Sequence, residues 1–151
     1  MKNFPIRQLV VLFTIIATIT INSLANILPL NGKLTGEISD SFSVFFVPAG
    51  YVFSIWGVIY LGLIVYGIFQ FLPKNKDNKL LEKISLPLIV ANLANSVWIF
   101  FWHYDFPVAS VLPMLALLGS LIIIYEEIFA FNKKTSLKNF FWFVKVPFSI
   151  Y

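Results

Sequence analysis

Four long apolar runs divide the chain, with short polar segments between them. They cover residues 8–30, 48–72, 84–102 and 107–131, and a fifth run begins near residue 139 and reaches residue 151. About 20 apolar residues carry a helix across a hydrocarbon core some 30 Å thick. The pattern predicts an all-α, multi-pass transmembrane helix bundle, a single domain over residues 1–151. It has four complete helices and the start of a fifth. The last run is too short to span, so the chain reads as a fragment ending inside that helix.

Polar residues inside the runs keep helical register. Thr14, Thr18, Asn22 and Asn26 recur every fourth position and would form one stripe along a helix. A rival reading takes MKNFPIRQ, the apolar stretch Leu9–Ile19 and Ser23-Leu24-Ala25 as a cleavable signal. The apolar run continues to Leu30, however, and a disposable signal has no need of a polar stripe, so a retained helix is expected.

In the third run Asn92, Asn95 and Ser96 share one broad face, with Trp98 and Trp102 three and seven positions beyond Asn95. Such groups often join membrane helices by hydrogen bonds. They become pocket residues when amides, tryptophans and a second polar stripe converge, and Asn22 and Asn26 are the natural partners. In the second run Phe53, Trp56, Gly57, Tyr60, Ile64 and Gly67 fall within about a third of the helix circumference. Tyr51, Gly62 and Tyr66 lie opposite, toward lipid or the interface. Pro48 suits a first helical turn, where its missing N–H is not needed. The aromatic face serves either close packing or a flat-walled cavity.

Composition fixes the solvent. The chain is 59% hydrophobic and 12% charged, with a mean hydropathy of +0.86, whereas about a quarter of a soluble domain is charged. The net charge is +4, and nine of the eleven basic residues lie in three short segments before or between the runs. Lys2 and Arg7 precede the first helix, Lys74, Lys76, Lys79 and Lys83 fill the second loop, and Lys133, Lys134 and Lys138 the fourth. Positive segments stay on the cytoplasmic side. The expected orientation in a cell (inner) membrane therefore has the N-terminus, second loop and fourth loop inside. The partner implied is the lipid bilayer, not nucleic acid. The first outer loop, Asn31–Val47, starts polar and ends apolar. It reads as an unstructured segment, either folded back on the membrane surface or a plain exposed loop with an interfacial aromatic belt.

Catalytic signals are weak. With no cysteine there is no thiolate, disulfide or cysteine metal site. His103 and Asp105 share a turn, where His103 reads as an interfacial turn residue. Glu126 and Glu127 point about 100° apart and read as interfacial neighbours of Lys133 and Lys134. No phosphate loop or metal-ligand spacing occurs. No ionisable residue sits at the centre of a complete run, and Lys145 lies where it can snorkel. The small pair Ala116 and Ser120 suits helix packing. No enzyme is expected.

At the second helix, VPAGYVFSIWGVIY resembles the pattern P-P-G-W-V-F-x-x-V-W-x-x-L-Y of the tryptophan-rich sensory proteins, relatives of the mitochondrial translocator protein (peripheral benzodiazepine receptor). Pro48, Gly50, Val52, Phe53, Trp56 and Tyr60 match, and Tyr51 replaces a tryptophan. NLANSVWIFF is similar to the family's third-helix L-N-x-x-W followed by F-F, through Asn95, Trp98, Phe100 and Phe101. PFSIY supplies Pro147, Phe148 and Tyr151 for the opening of the fifth helix. The outer loop is longer than usual in the family, and tyrosine stands for tryptophan at two positions.

The resemblance implies a five-helix bundle, often a homodimer, that binds a porphyrin, sterol or similar flat hydrophobic small molecule for sensing or transport. No cofactor is required, and a porphyrin or haem-type molecule would be the ligand. The expected ligand-binding residues are Trp56, Asn95 and Trp98, with Phe53 and Tyr60 on the wall and Asn22 and Asn26 as polar partners. The alternative is the N-terminal part of a membrane permease or exporter subunit.

Overall fold

The computed structural model describes residues 6–42, 48–132 and 140–151. Its regular elements are all helical: α1 (Ile6–Ile27), α2 (Thr35–Asp40), α3 (Ile55–Phe69), α4 (Lys79–His103), α5 (Pro107–Asn132) and α6 (Val146–Ile150). A 3-10 turn, Gly50–Ser54, leads into α3, and a π-helical turn, Phe141–Lys145, leads into α6. Four segments are long and apolar enough to cross a membrane: Ile6–Ile27, Gly50–Phe69, Lys79–His103 and Pro107–Phe131. The molecule is an all-α, multi-pass membrane helix bundle.

Helix α4 is central. Half of its most apolar stretch is buried, against a third or less in the other spans. It packs against α1 on one side and α5 on the other, while α3 packs on α1 and α6, and α6 closes onto α5. On α5 the buried positions Ser110, Pro113, Leu117, Ser120, Ile124 and Ile128 recur at three- and four-residue spacing. The outward residues Val108, Leu112, Leu115 and Ile122 are just as apolar. A helix that is hydrophobic all round is built for lipid.

Hydrogen bonds between distant segments identify the two ends. At one, Arg7 donates to Ser85 Oγ (2.9 Å) and to the carbonyl of Lys76 (3.4 Å), so the start of α1 meets the α3–α4 connection. At the other, the amide of Asn31 donates to the carbonyl of His103 at 2.9 Å. There Lys33 pairs with Asp105 at 2.9 Å.

Several elements differ from the sequence pattern. Helix α4 starts at Lys79, five residues before its apolar run, because the side chain of Asn78 accepts from the Leu80 and Leu81 amides (2.9 and 3.4 Å). That cap satisfies donors at the helix start. The first loop, expected on the outer side, is not simply unstructured. After Asn31 and Gly32, at φ 56° and 73°, the chain forms α2, whose Ile38 is almost fully buried. The left-handed pair lies in a 3-10 turn, Leu30–Gly32, beyond the end of α1; asparagine and glycine tolerate that conformation best.

Tyr66 and Gly62 do not face lipid. Tyr66 is fully buried, edge-on to Phe148 with ring centroids 4.9 Å apart. A Cβ on Gly62 would stand 3.2 Å from Pro147. The sixth helix packs against the side of α3 that the aromatic pattern leaves outside, so α3 is buried on two sides in its lower half. Tyr51, by contrast, is 80% exposed. Glu127 finds Lys83 on α4, at 2.9 Å. Lys133, Lys134 and Lys138, like Lys2 and Val47, fall outside the described residues.

Candidate functional site

The polar stripe of α1 meets the amide face of α4. Asn92 Nδ2 donates to Thr14 Oγ1 (3.1 Å), Thr18 Oγ1 donates to the carbonyl of Asn92 (2.8 Å), and Thr18 Oγ1 lies 3.0 Å from Ser96 Oγ. One level further out, Asn22 Nδ2 donates to Asn95 Oδ1 at 2.8 Å. Asn95 Nδ2 in turn reaches the hydroxyl of Tyr151 at 3.4 Å. These bonds clamp α1 to α4 at two successive levels, and the second level reaches the end of α6. In a medium without water, such contacts are each worth about 0.6–2 kcal/mol.

Above this layer the aromatic residues stack. Trp98 and Trp102 are one turn apart on α4, with ring centroids 5.9 Å apart and planes 28° apart. Trp56 and Tyr60 are one turn apart at the start of α3, at 5.9 Å and 29°. The two pairs join through Trp56 and Trp98, at 5.8 Å and 27°. Trp56 also meets Tyr151 edge-on at 6.3 Å, and Phe42 lies 5.7 Å from Trp102 at the end of the column. The i, i+4 spacing on each helix creates the pairs, and the proximity of α3 and α4 merges them into one column.

A cleft of about 410 Å³ opens beside that column. It is lined by Asn22, Ser23, Asn26 and Ile27 of α1, by Phe53, Trp56, Gly57 and Tyr60 of the second span, by Trp98 and Ile99 of α4, and by Thr35 of α2. The size falls within the range of small-molecule sites, about 300–1,000 Å³. A second cleft of about 420 Å³ lies behind Phe53 and Trp56 and is bordered by Met114, Leu117, Leu118 and Leu121 of α5. Phe53 and Trp56 form the wall between the two.

Six of the seven residues expected from the sequence line the first cleft: Asn22, Asn26, Phe53, Trp56, Tyr60 and Trp98. Asn95 stands behind the wall, fully buried, and positions Asn22 and Tyr151. The sequence pattern does not single out Ser23, Ile27 or Thr35, which also line the cleft. Ser23 and Ile27 are legible as neighbours of the stripe, one position along the helix from Asn22 and Asn26. Thr35 comes from the outer loop, and only tertiary contacts bring it here.

Those contacts centre on His103. It is fully buried, not an interfacial turn residue. Its Nδ1 lies 2.9 Å from the carbonyl of Ile99, and its Nε2 lies 3.4 Å from Thr35 Oγ1. A carbonyl only accepts, so Nδ1 carries a proton; in the neutral imidazole Nε2 is then the acceptor for the Thr35 hydroxyl. Trp102 Nε1 donates to the carbonyl of Thr35 at 3.2 Å, and the Thr35 amide donates to Asn26 Oδ1 at 3.4 Å. The start of α2 is thereby tied over the Ile27 end of α1 and the His103 end of α4. Asp105 pairs with Lys33, and His103 with Ile99 and Thr35.

No curated protein and no solved structure matches the chain. A family model described as TSPO-like protein matches residues 8–151. That span takes in the aromatic column, every residue of the cleft and the four membrane-length helices apart from Ile6 and Arg7, and the chain belongs to the TSPO-like protein family.

Proposed function

We propose that this membrane protein binds a flat hydrophobic small molecule, a tetrapyrrole or sterol-like ring system, in the outer cleft between α1, α3 and α4, for sensing or transport. The observation that carries the reading is the convergence of Trp56, Tyr60 and Trp98 with Asn22 and Asn26 on one cavity. Aromatic walls take a flat apolar body, and a few polar groups fix its orientation. The site works by binding and not by catalysis, since His103 and Asp105 are engaged in holding the outer loop. Among the described residues no His, Cys or Met lines the cleft, and Tyr60 is the lining side chain of a type that can ligate haem iron.

Titration of the purified chain with a metal-free porphyrin, followed by tryptophan fluorescence, tests this reading. Saturable quenching is expected, and Trp98→Ala should weaken binding about tenfold, the scale of losing one well-placed aromatic contact. Quenching that never saturates, or a Trp98→Ala variant indistinguishable from the parent, would refute it.

The membrane is proposed to be the inner membrane, with the Arg7 end cytoplasmic. The charge asymmetry supports this: Arg7, Lys74, Lys76, Lys79 and Lys83 precede or follow spans at the same end. The chain has no native cysteine, so single cysteines report cleanly. Ser41→Cys in intact spheroplasts should react with an impermeant maleimide, and Asp77→Cys should react only after lysis. The reverse labelling would invert the orientation.

A further inference from the structure

The cleft is closed at its back and over one end. The bond from Asn22 to Asn95 (2.8 Å) joins α1 to α4, and Trp56 on Trp98, with ring centroids 5.8 Å apart, joins α3 to α4. Trp98 and Ile99 of α4 therefore form the back wall. Helix α2 lies over the His103 end, where Thr35 is held by Asn26, Trp102 and His103. A Cβ on the next residue, Gly36, would stand 3.8 Å from Gly50 Cα and 3.9 Å from the Phe53 ring. The roof thus reaches from the end of α4 to the start of the second span.

The flank between α1 and α3 is different. Toward the Arg7 end the two helices touch: a Cβ on Gly67 would stand 3.2 Å from Leu12 and 3.6 Å from Ile15. About 15 Å back along α3, Gly57 is exposed, and a Cβ there meets nothing within 4 Å. Across the gap Ser23 is only half-buried and Ile27 is 71% exposed. Helices α1 and α3 therefore diverge from Gly67 toward Gly57, and the cleft opens between them. The opening lies within two membrane-length segments, Ile6–Ile27 and Gly50–Phe69, and the exposed residues Leu24 and Leu61 flank it. What faces it is hydrocarbon, the phase in which a flat apolar molecule concentrates.

We propose that the ligand enters and leaves the cleft sideways, from the membrane, through the gap between α1 and α3, while α2 shuts the route from water. The proposal rests on the reading that this cleft is the binding site, and it assigns the lipid phase as the source of the ligand.

The test places a plug beside the gap after the protein has folded. Leu61 is one turn from Gly57, exposed, and outside the lining. Leu61→Cys is labelled in detergent with a bulky non-fluorescent maleimide, and the intact chain is then reconstituted in nanodiscs. The same label on Asp40→Cys, at an exposed position of the roof, and on Leu112→Cys, on the lipid face of α5, supplies the comparisons. If Leu61→Cys does not fold, Leu24→Cys on the opposite rim takes its place. Stopped-flow tryptophan quenching by a metal-free porphyrin gives the association and dissociation rates. The label at position 61 should slow both about tenfold and leave Kd nearly unchanged, because a narrowed passage raises the barrier in both directions. The labels at positions 40 and 112 should leave both rates at the parent's values. Unchanged rates with the label at 61, or equal slowing by the label at 40 or 112, overturn the sideways route. Absence of saturable quenching in the unlabelled parent instead overturns the binding site itself.

Discussion

Replacing Trp56 by alanine should cost the protein both its ligand and part of its stability. Trp56 is the residue on which the aromatic column turns: it stacks on Tyr60 and Trp98, meets Tyr151 edge-on, and separates the two clefts. Truncating a tryptophan this well packed removes its contacts and leaves a void, worth about 3 kcal/mol. The two clefts would then merge into a space with no wall for a flat ring to lie against. Porphyrin binding is expected to weaken more than tenfold, roughly the loss of a central aromatic anchor. Trp142, 58% exposed and in the π-helical turn before α6, is the control. Trp142→Ala should alter neither binding nor stability appreciably, measured by porphyrin titration and by unfolding in mixed detergent–SDS micelles.

The second large effect concerns the layer below. Asn95→Leu removes the acceptor of Asn22 and the donor to Tyr151 together, leaving polar atoms unpaired where no water replaces them. A loss of about 1–2 kcal/mol in unfolding free energy is expected. The double variant Asn22→Leu/Asn95→Leu should be less destabilised than the sum of the single ones, by about 0.6–2 kcal/mol of coupling. Strict additivity would mean that the 2.8 Å bond contributes nothing. Binding should weaken with Asn95→Leu although Asn95 does not line the cleft, because Asn22 loses its fixed orientation.

The features legible in the sequence are those that lipid enforces. A span must be a continuous apolar run, because unpaired backbone groups cannot be tolerated in hydrocarbon. The four membrane-length helices therefore stand out in the hydrophobic pattern alone. A polar residue inside such a run must find a partner. That is why the Thr14–Thr18–Asn22 stripe and the Asn92–Asn95 face can be matched across two helices. Periodicity says which residues share a face, but not how many neighbours that face has. It sends Tyr66 and Gly62 toward lipid for this reason: only the docking of Pro147 and Phe148 turns their side inward. Thr35 lies beyond its reach for a different reason. It belongs to a short helix whose position depends on His103, Trp102 and Asn26, three residues on two other elements, and no local pattern encodes that meeting. Asn95 shows the remaining gap, since residue type and register cannot distinguish a group on the cavity wall from one just behind it.

Filling the cleft tests the central claim most directly. Gly57 lies in its lining, and a Cβ added there meets nothing within 4 Å. Gly57→Phe should therefore occupy the cavity without displacing a neighbour and should remove a helix-interior glycine that costs about 0.5–1 kcal/mol. Gly119 on α5 is equally open, yet it lines neither cleft, and Gly119→Phe is the matched control. The decisive measurement is a porphyrin titration of the two variants beside the parent chain. The expected result is loss of saturable quenching in Gly57→Phe, with stability kept or raised, and unchanged binding in Gly119→Phe. Undiminished binding by a folded Gly57→Phe would contradict the account and move the ligand out of this cleft.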